Sequence, residues 1–188
     1  MDVDKCIKER GSCRKFKSKK PDYRKIIEAI DFARLAPLAG NISTVKFILV
    51  SDKDKIKELA VACQQRFFEN VDYVVVVCTD KKDCALSYGA RGEKYCLQQA
   101  GAAIENFLLK IQSMGLASCW VGAFSDETVK RILDFPPEGI EPEALLPVGY
   151  AYDKHVMKQR KKPNLDSVLY FDKWKNKYMK PKDNVVAR

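Results

Sequence analysis

A chain of 188 residues and 21.4 kDa fits one domain comfortably and two only if both are small. Its 46% hydrophobic and 31% charged residues exclude collagen-like and disordered classes. Lys and Arg number 34 against 25 Asp and Glu, a net charge of +9, and such a balance serves nucleic acid, an acidic membrane or a phosphorylated ligand.

Near the start, Arg10 and Arg14 stand four apart about Ser12, and a helical turn there would form a guanidinium fork suited to a phosphate dianion. The alternative is that both are solvated or paired with a carboxylate such as Glu9. Pro21-Asp22 followed by Ile26, Ile27, Ile30, Ala33 and Ala36 predicts an N-capped amphipathic helix that stops at Pro37, with a loop over Leu38-Ala39-Gly40-Asn41. Residues 45–50 and 73–78 predict core strands, and the second is apolar on both alternations, as a strand buried on both faces would be. Between them residues 55–68 have helical spacing, and residues 80–83 predict a turn.

The best-defined element is a central helix over residues 97–114. Leu97, Ala100, Ile104, Phe107, Leu108 and Ile111 form its apolar stripe, and Gly115 sits where a left-handed C-cap would fall. Its segment Ala100-Gly101-Ala102-Ala103 is so small that another helix or a flat ligand could approach the backbone. Residues 119–124 and 145–150 are short strand-like runs, with a capped helix from Ser125 to Leu133 between them. Lys158 and Arg160, two apart, would share one side of an extended segment. There are no internal repeats or low-complexity linkers, and Tyr88-Gly89-Ala90-Arg91-Gly92 matches neither a dinucleotide fingerprint nor a P-loop.

The charge is uneven. Residues 1–24 hold nine basic and four acidic side chains, 25–153 fourteen and eighteen, and 154–182 ten and two. Val168, Leu169, Tyr170, Phe171, Trp174 and Tyr178 run through the last segment, which is therefore expected to pack on something; interleaved with cations they also leave open a non-catalytic nucleic-acid-binding protein. No run reaches the ~20 apolar residues of a membrane span, and the opening six residues lack the marks of a signal peptide, so the expectation is a cytoplasmic protein. The seven cysteines (6, 13, 63, 78, 84, 96 and 119) never form Cys-x-x-Cys and are expected as reduced, buried thiols, with no metal site. His155 is the only histidine, which argues against His-rich metal sites and Ser-His-Asp or Cys-His centres.

Arg10-Gly11-Ser12-Cys13-Arg14-Lys15-Phe16 resembles the opening Arg-x-Ser-x-Arg-x-Phe motif of the FMN-dependent nitroreductase family, and residues 33–41 resemble its Ala-x-x-Ala-Pro-Ser-x-x-Asn loop. Residues 100–109 with Met114-Gly115-Leu116-Ala117-Ser118-Cys119-Trp120-Val121-Gly122-Ala123-Phe124 are similar to the family's helix and Gly-Leu-x-Ser-x-Trp-x-Gly segment, and Leu146-Pro147-Val148-Gly149-Tyr150 and Lys158-Gln159-Arg160 close the pattern in order. Where the family has serine after the proline this chain has Leu38, and Ile42-Ser43-Thr44-Val45 replaces Gln-Pro-Trp, so the loop that touches flavin and substrate is chemically altered.

The resemblance implies an α+β fold with a small mixed or antiparallel central sheet flanked by helices. It also implies an entwined homodimer, one domain over 1–188 whose extension 163–188 packs on the partner subunit, and FMN in the interface. Arg10, Ser12, Lys158 and Arg160 would hold the FMN phosphate, and Arg14 would reach the ribityl chain and pyrimidine edge. Pro37, Leu38, Ala39 and Asn41 would come from the partner, and the backbone of Val121, Gly122 and Ala123 would face N5 and O4. Phe124 would line the substrate pocket, otherwise serving as a core or interface aromatic like Trp120; Arg91 would approach the pocket or remain a surface turn residue. Reduced flavin carries negative charge near N1 and O2, where a cation such as Arg14 favours two-electron chemistry, and glycine at 122 leaves room for a nicotinamide to stack. The implied activity is hydride transfer from NADH or NADPH to a nitroaromatic, quinone or similar small acceptor by a ping-pong mechanism; a dehalogenase or flavin-destroying enzyme of the same fold is a further possibility.

Overall fold

The computed structural model describes residues 2–152 and 162–179. They fall into two compact units that divide between Met157 and Lys158.

The first unit is built on a strand that has no polar face. In β2 (Tyr73–Asp80), residues 73–79 are all buried. Alternate side chains of a strand point to opposite faces, so such a run needs a core on each side. Tyr73, Val75 and Val77 pack with Ile26, Ala29 and Ala33 of α2 (Tyr23–Ala33) and with Ala103, Ile104 and Phe107 of α5 (Ala90–Ser113). Val74, Val76 and Cys78 pack with Ile56, Leu59 and Ala60 of α3 (Lys53–Ala62) and with Val129 and Ile132 of α6 (Asp126–Ile132). Each fully buried Val or Leu in these two layers contributes about 1.5–3 kcal/mol of apolar burial.

The sheet has the order β1-β2-β4-β3, every neighbour antiparallel, with β1 at Val45–Val50, β3 at Ala117–Ser118 and β4 at Ile140–Gly149. A bulge lies where Val77 pairs with Ala144 but Cys78 with Pro142, leaving Glu143 as the extra residue; Thr79 Oγ1 donates to Glu143 Oε1 at 2.6 Å. Pro142 is tolerated because the ladder is already irregular there.

The helix ends follow local chemistry. Asp22 caps α2 by accepting from Arg24 N, Asp52 caps α3 from Asp54 N and Lys55 N, and Ser125 caps α6 from Thr128 N. α5 starts at Ala90, seven residues before the start expected from its apolar stripe, and Leu97 is half exposed. Gly89, at φ +53° and ψ −138°, separates it from α4 (Lys82–Tyr88), a helix that begins within the turn expected over 80–83 and continues beyond it. Gly92 belongs to the first turns of α5 and fits only because it lacks a Cβ, which would collide with the Cys84 carbonyl of α4. The expected left-handed end of the helix is present at Gly115, φ +74°.

Other expectations need correction. The helix expected over 55–68 stops at Ala62 and is followed by a 3₁₀ turn at Arg66–Phe68, after Gln64 adopts φ +53°. The strand expected over 119–124 reduces to a single bridge between Val121 and Leu145, the paired strand β3 lying just before it, while β4 extends further toward its N-terminal side than expected. A first helix, α1 (Val3–Glu9), capped by Asp2, was not expected from its charged sequence.

In the second unit, α7 (Leu165–Val168) leads into a turn where Tyr170 and Trp174 pack with ring centroids 4.7 Å apart and Lys177 Nζ stands 4.0 Å from the Tyr170 ring. Trp174 is 76% exposed. Among the described residues no helix is long and apolar enough to cross a membrane.

Candidate active site

Residues 10–17 form an extended arm rather than the helical turn that the Arg10–Arg14 spacing suggests. Arg10 is the C-cap of α1, with φ −60° and ψ 129°. Ser12 then bridges Ser118 of β3 in parallel, Cys13 N donates to Ser118 O at 2.9 Å, and Phe16 bridges Ala151. Tyr152 N donates to Lys15 O at 2.9 Å and Lys17 N to Tyr150 O at 2.8 Å. The arm's backbone donors and acceptors are better satisfied along these two strand segments than in an isolated helical turn.

That correction changes which residues keep company. Arg10, Ser12 and Arg14 stand at alternate positions along the arm, as a row in sequence, with Cys13 buried between them. Ser12 and Arg14 are exposed and Cys13 is buried. The two guanidinium groups do not form one fork. Arg10 turns to α5, where its Nε lies 3.0 Å from Glu105 Oε1, while the Arg14 guanidinium carbon stands 5.9 Å from the centre of the Phe67 ring. Glu9, the alternative partner, pairs instead with Lys5 at 3.9 Å.

Beside the row, Ser118 is 5% exposed and its hydroxyl oxygen has no hydrogen-bond partner among the described residues. Burial raises the Cys13 thiol above its usual pKa, the nearby Cys119 adds to the effect, and Cys13 Sγ donates to Lys15 O at 3.3 Å. The Cys13 thiol is therefore not a thiolate nucleophile at neutral pH. All seven cysteines are buried and none is joined in a disulfide.

The Val121–Ala123 segment leaves β3 along the edge of β4: Val121 and Leu145 exchange both backbone hydrogen bonds, at 3.0 and 2.9 Å, and then Gly122 and Ala123 become exposed. A Cβ at Gly122 would meet nothing nearer than Trp120 Nε1 at 3.9 Å. A flat molecule can thus approach this backbone without a side chain in the way. Phe124 is half buried against the α3–α6 core, and Trp120 is 43% exposed, nearer a surface ring than a core aromatic.

Pro37 to Asn41 form a loop after α2 with a 3₁₀ turn at Ala39–Asn41; Pro37 and Asn41 are exposed, Leu38 and Ala39 half buried. Gly40 and Asn41 take φ +57° and +60°, and the Tyr88 hydroxyl occupies the space a Gly40 Cβ would need. Arg91 is an exposed residue of the first turn of α5, not of a loop. Lys158 and Arg160 lie outside the described residues. Glu105 and Ser118 stand inside the matching motifs without an expected role of their own. The signal in the sequence that leads to Ser118 is the two-residue alternation 10-12-14, which competes with the four-residue spacing of the arginines.

Residues 7–73 and 61–150 match the sequence model of the Nitroreductase family. The chain therefore belongs to the nitroreductase family, and it is an oxidoreductase. It is 28% identical over 159 residues to a provisionally named NADH dehydrogenase/NAD(P)H nitroreductase of Archaeoglobus fulgidus, covering 81% of this chain and 88% of that protein. It is 25% identical over 162 residues to the oxygen-insensitive NADPH nitroreductase of Helicobacter pylori, covering 68% and 77%. The crystal structure of a nitroreductase family protein from Clostridium novyi NT superimposes with a TM-score of 0.73 at 26% identity, covering 95% of this chain and 98% of that one.

Proposed function

We propose that this protein is an FMN-dependent oxidoreductase that accepts hydride from NADH or NADPH and, in a separate half-reaction, delivers it to a nitroaromatic, quinone or similar small acceptor. The carrying observation is the row Arg10-Ser12-Arg14, stitched by Ser12 to β3 shortly before the unobstructed Gly122 backbone. Two cations and a hydroxyl at alternate positions of one arm suit a phosphate and its polar linker, and an open backbone suits a flat ring. The naming of relatives as NAD(P)H or NADPH nitroreductases supports the donor.

Bound FMN would supply the hydride-accepting and hydride-donating centre at N5. The chain's part is to bind and orient. Arg10 and Ser12, joined by Lys158 and Arg160, hold the phosphate through charge-assisted hydrogen bonds. Arg14 would serve the ribityl chain and pyrimidine edge, where a cation would offset negative charge. Backbone groups of Val121, Gly122 and Ala123 face the N5 and O4 side, and the missing side chain at 122 admits a stacked nicotinamide. Pro37, Leu38, Ala39 and Asn41 close the site from a second subunit, and Phe124 with Arg91 borders the substrate.

The working unit in this reading is a homodimer. Val3, Ile7 and Leu35 are 67%, 57% and 63% exposed, and an apolar groove of about 400 Å³ is lined by Val3, Leu35 and Leu109. An apolar face of this kind is what a second copy covers. Residues 163–188, part of one domain with the rest, would extend over the partner, which accounts for exposed Trp174. Seven cysteines without a disulfide accord with a reducing cytoplasm.

The test is the visible spectrum. Purified protein, or protein reconstituted with FMN, is expected to be yellow, to bleach anaerobically on addition of NADH or NADPH, and to recover its colour when a quinone or nitroaromatic is added afterwards. Colourless protein that takes up no FMN would refute the reading, and steep salt-dependent DNA binding by such protein would favour a nucleic-acid function.

A further inference from the structure

We infer that Glu105 is a positioning residue for the phosphate-binding arginine: held 3.0 Å from Arg10 Nε, its carboxylate sets the direction in which Arg10 presents its guanidinium to the FMN phosphate. The inference rests on the proposed role of Arg10 as a phosphate ligand.

Arg10 closes α1 as its C-cap, where the helix end favours a cation, and its side chain is 24% exposed. Glu105 reaches it from the middle of α5, whose adjoining residues Ala103, Ile104, Phe107 and Leu108 are buried in the core. The carboxylate is therefore mounted on a helix anchored in the core, and the arginine on a short helix that leads into an arm. A contact at Nε occupies the side edge of the guanidinium and leaves its terminal edge, which joins the two Nη groups, for a second partner. That edge is the one whose parallel N–H bonds match two oxygens of a phosphate. A long arginine side chain otherwise loses rotamer freedom when it binds, and prior fixation by Glu105 removes part of that cost from the binding step.

The carboxylate also carries a charge of the phosphate's own sign. Two effects oppose each other: fixation strengthens binding, and repulsion weakens it. Glu105 is 44% exposed, so water screens its longer-range repulsion, while the contact with Nε is direct; fixation therefore outweighs repulsion.

The experiment measures the dissociation constants of FMN and of riboflavin, which lacks the phosphate, by flavin fluorescence for the wild-type protein, Glu105→Gln, Glu105→Asp, Arg10→Ala and the double variant Arg10→Ala/Glu105→Gln. Glu105→Gln is expected to weaken FMN about 1.5- to 5-fold, the range of a partly exposed ion pair, and to leave riboflavin unchanged. Glu105→Asp is expected to recover part of the loss, and Glu105→Gln to have no further effect when Arg10 is already alanine. Riboflavin binding serves as the check that each variant is folded at the site. If Arg10→Ala weakens FMN selectively but Glu105→Gln leaves FMN unchanged, tightens it, or weakens both flavins equally, the positioning role is overturned while the phosphate role of Arg10 stands. If Arg10→Ala itself fails to discriminate FMN from riboflavin, the phosphate assignment falls and the inference falls with it.

Discussion

Phe16 packs so tightly onto Gly149 that a Cβ added to the glycine would stand 2.8 Å from Phe16 Cδ1 and 3.4 Å from Phe16 Cβ. The conflict is with the near edge of the ring, at Cδ1 and Cγ, and the bridge from Phe16 to Ala151 holds the backbone that carries the ring. Gly149→Ala is expected to cost about 1–3 kcal/mol, the scale of overpacking in a filled interior. Urea unfolding checks this, with the midpoint lowered at constant slope. In a Phe16→Ala background the same change should cost much less, because the two residues share one contact.

Leu146 lies at the centre of the sheet, with no exposed surface, in the layer formed with α2 and α5. Leu146→Ala is expected to destabilise by about 2–5 kcal/mol, the cost of lost burial plus the cavity left behind. A loss under about 1 kcal/mol in chemical denaturation would mean that this layer collapses to fill the gap.

These cores are the most legible part of the sequence. Seven consecutive buried residues in β2 admit little besides a strand between two layers, and the capped starts at Asp22 and Ser125 are visible because their side chains act on their own backbone. The arm is ambiguous for a definable reason. Arg10, Ser12 and Arg14 satisfy the helical four-residue spacing and the strand's two-residue spacing equally, and only distant partners, Ser118 and Ala151, decide between them. α4 and the start of α5 are hidden by Gly89 and Gly92, which read locally as a loop although Gly92 is a helix-packing residue. The Arg10–Glu105 pair joins elements far apart in the chain and leaves no periodic trace.

Gly122 carries the prediction closest to catalysis. Its open surroundings accommodate a side chain without displacing protein atoms, so Gly122→Val is expected to fold normally and to keep its flavin spectrum. Stopped-flow reduction by NADH or NADPH should nevertheless slow by about 10²-fold, because a branched side chain displaces the stacked nicotinamide from hydride distance. Unaltered reduction rates would remove Gly122 from the substrate-facing surface.

Burial pushes the Cys63 thiol up to about 11 and, with Glu143 nearby, the Cys78 thiol up to about 12. Both folded-state values exceed those of the unfolded chain. The stability that comes from keeping these thiols neutral is therefore complete below about pH 8.5 and is lost as pH rises toward 11 and 12. Melting temperature should fall as pH rises from about 9 toward 11, and less steeply in Cys63→Ala than in the wild type. A thiol reagent should react slowly with the native protein near pH 8 and rapidly with seven groups once it is denatured.

The arm's attachment also dictates an order of assembly. Ser12 meets Ser118, and Phe16 meets Ala151, across more than a hundred intervening residues, a closure that costs about 4 kcal/mol of chain entropy before any contact repays it. On the ribosome the arm is made long before the segment it grips, so it waits outside the nascent core until both anchoring segments have emerged. The arm is thus fastened late, and a translation product stopped short of residue 150 would lack the second of its two anchors, Ala151.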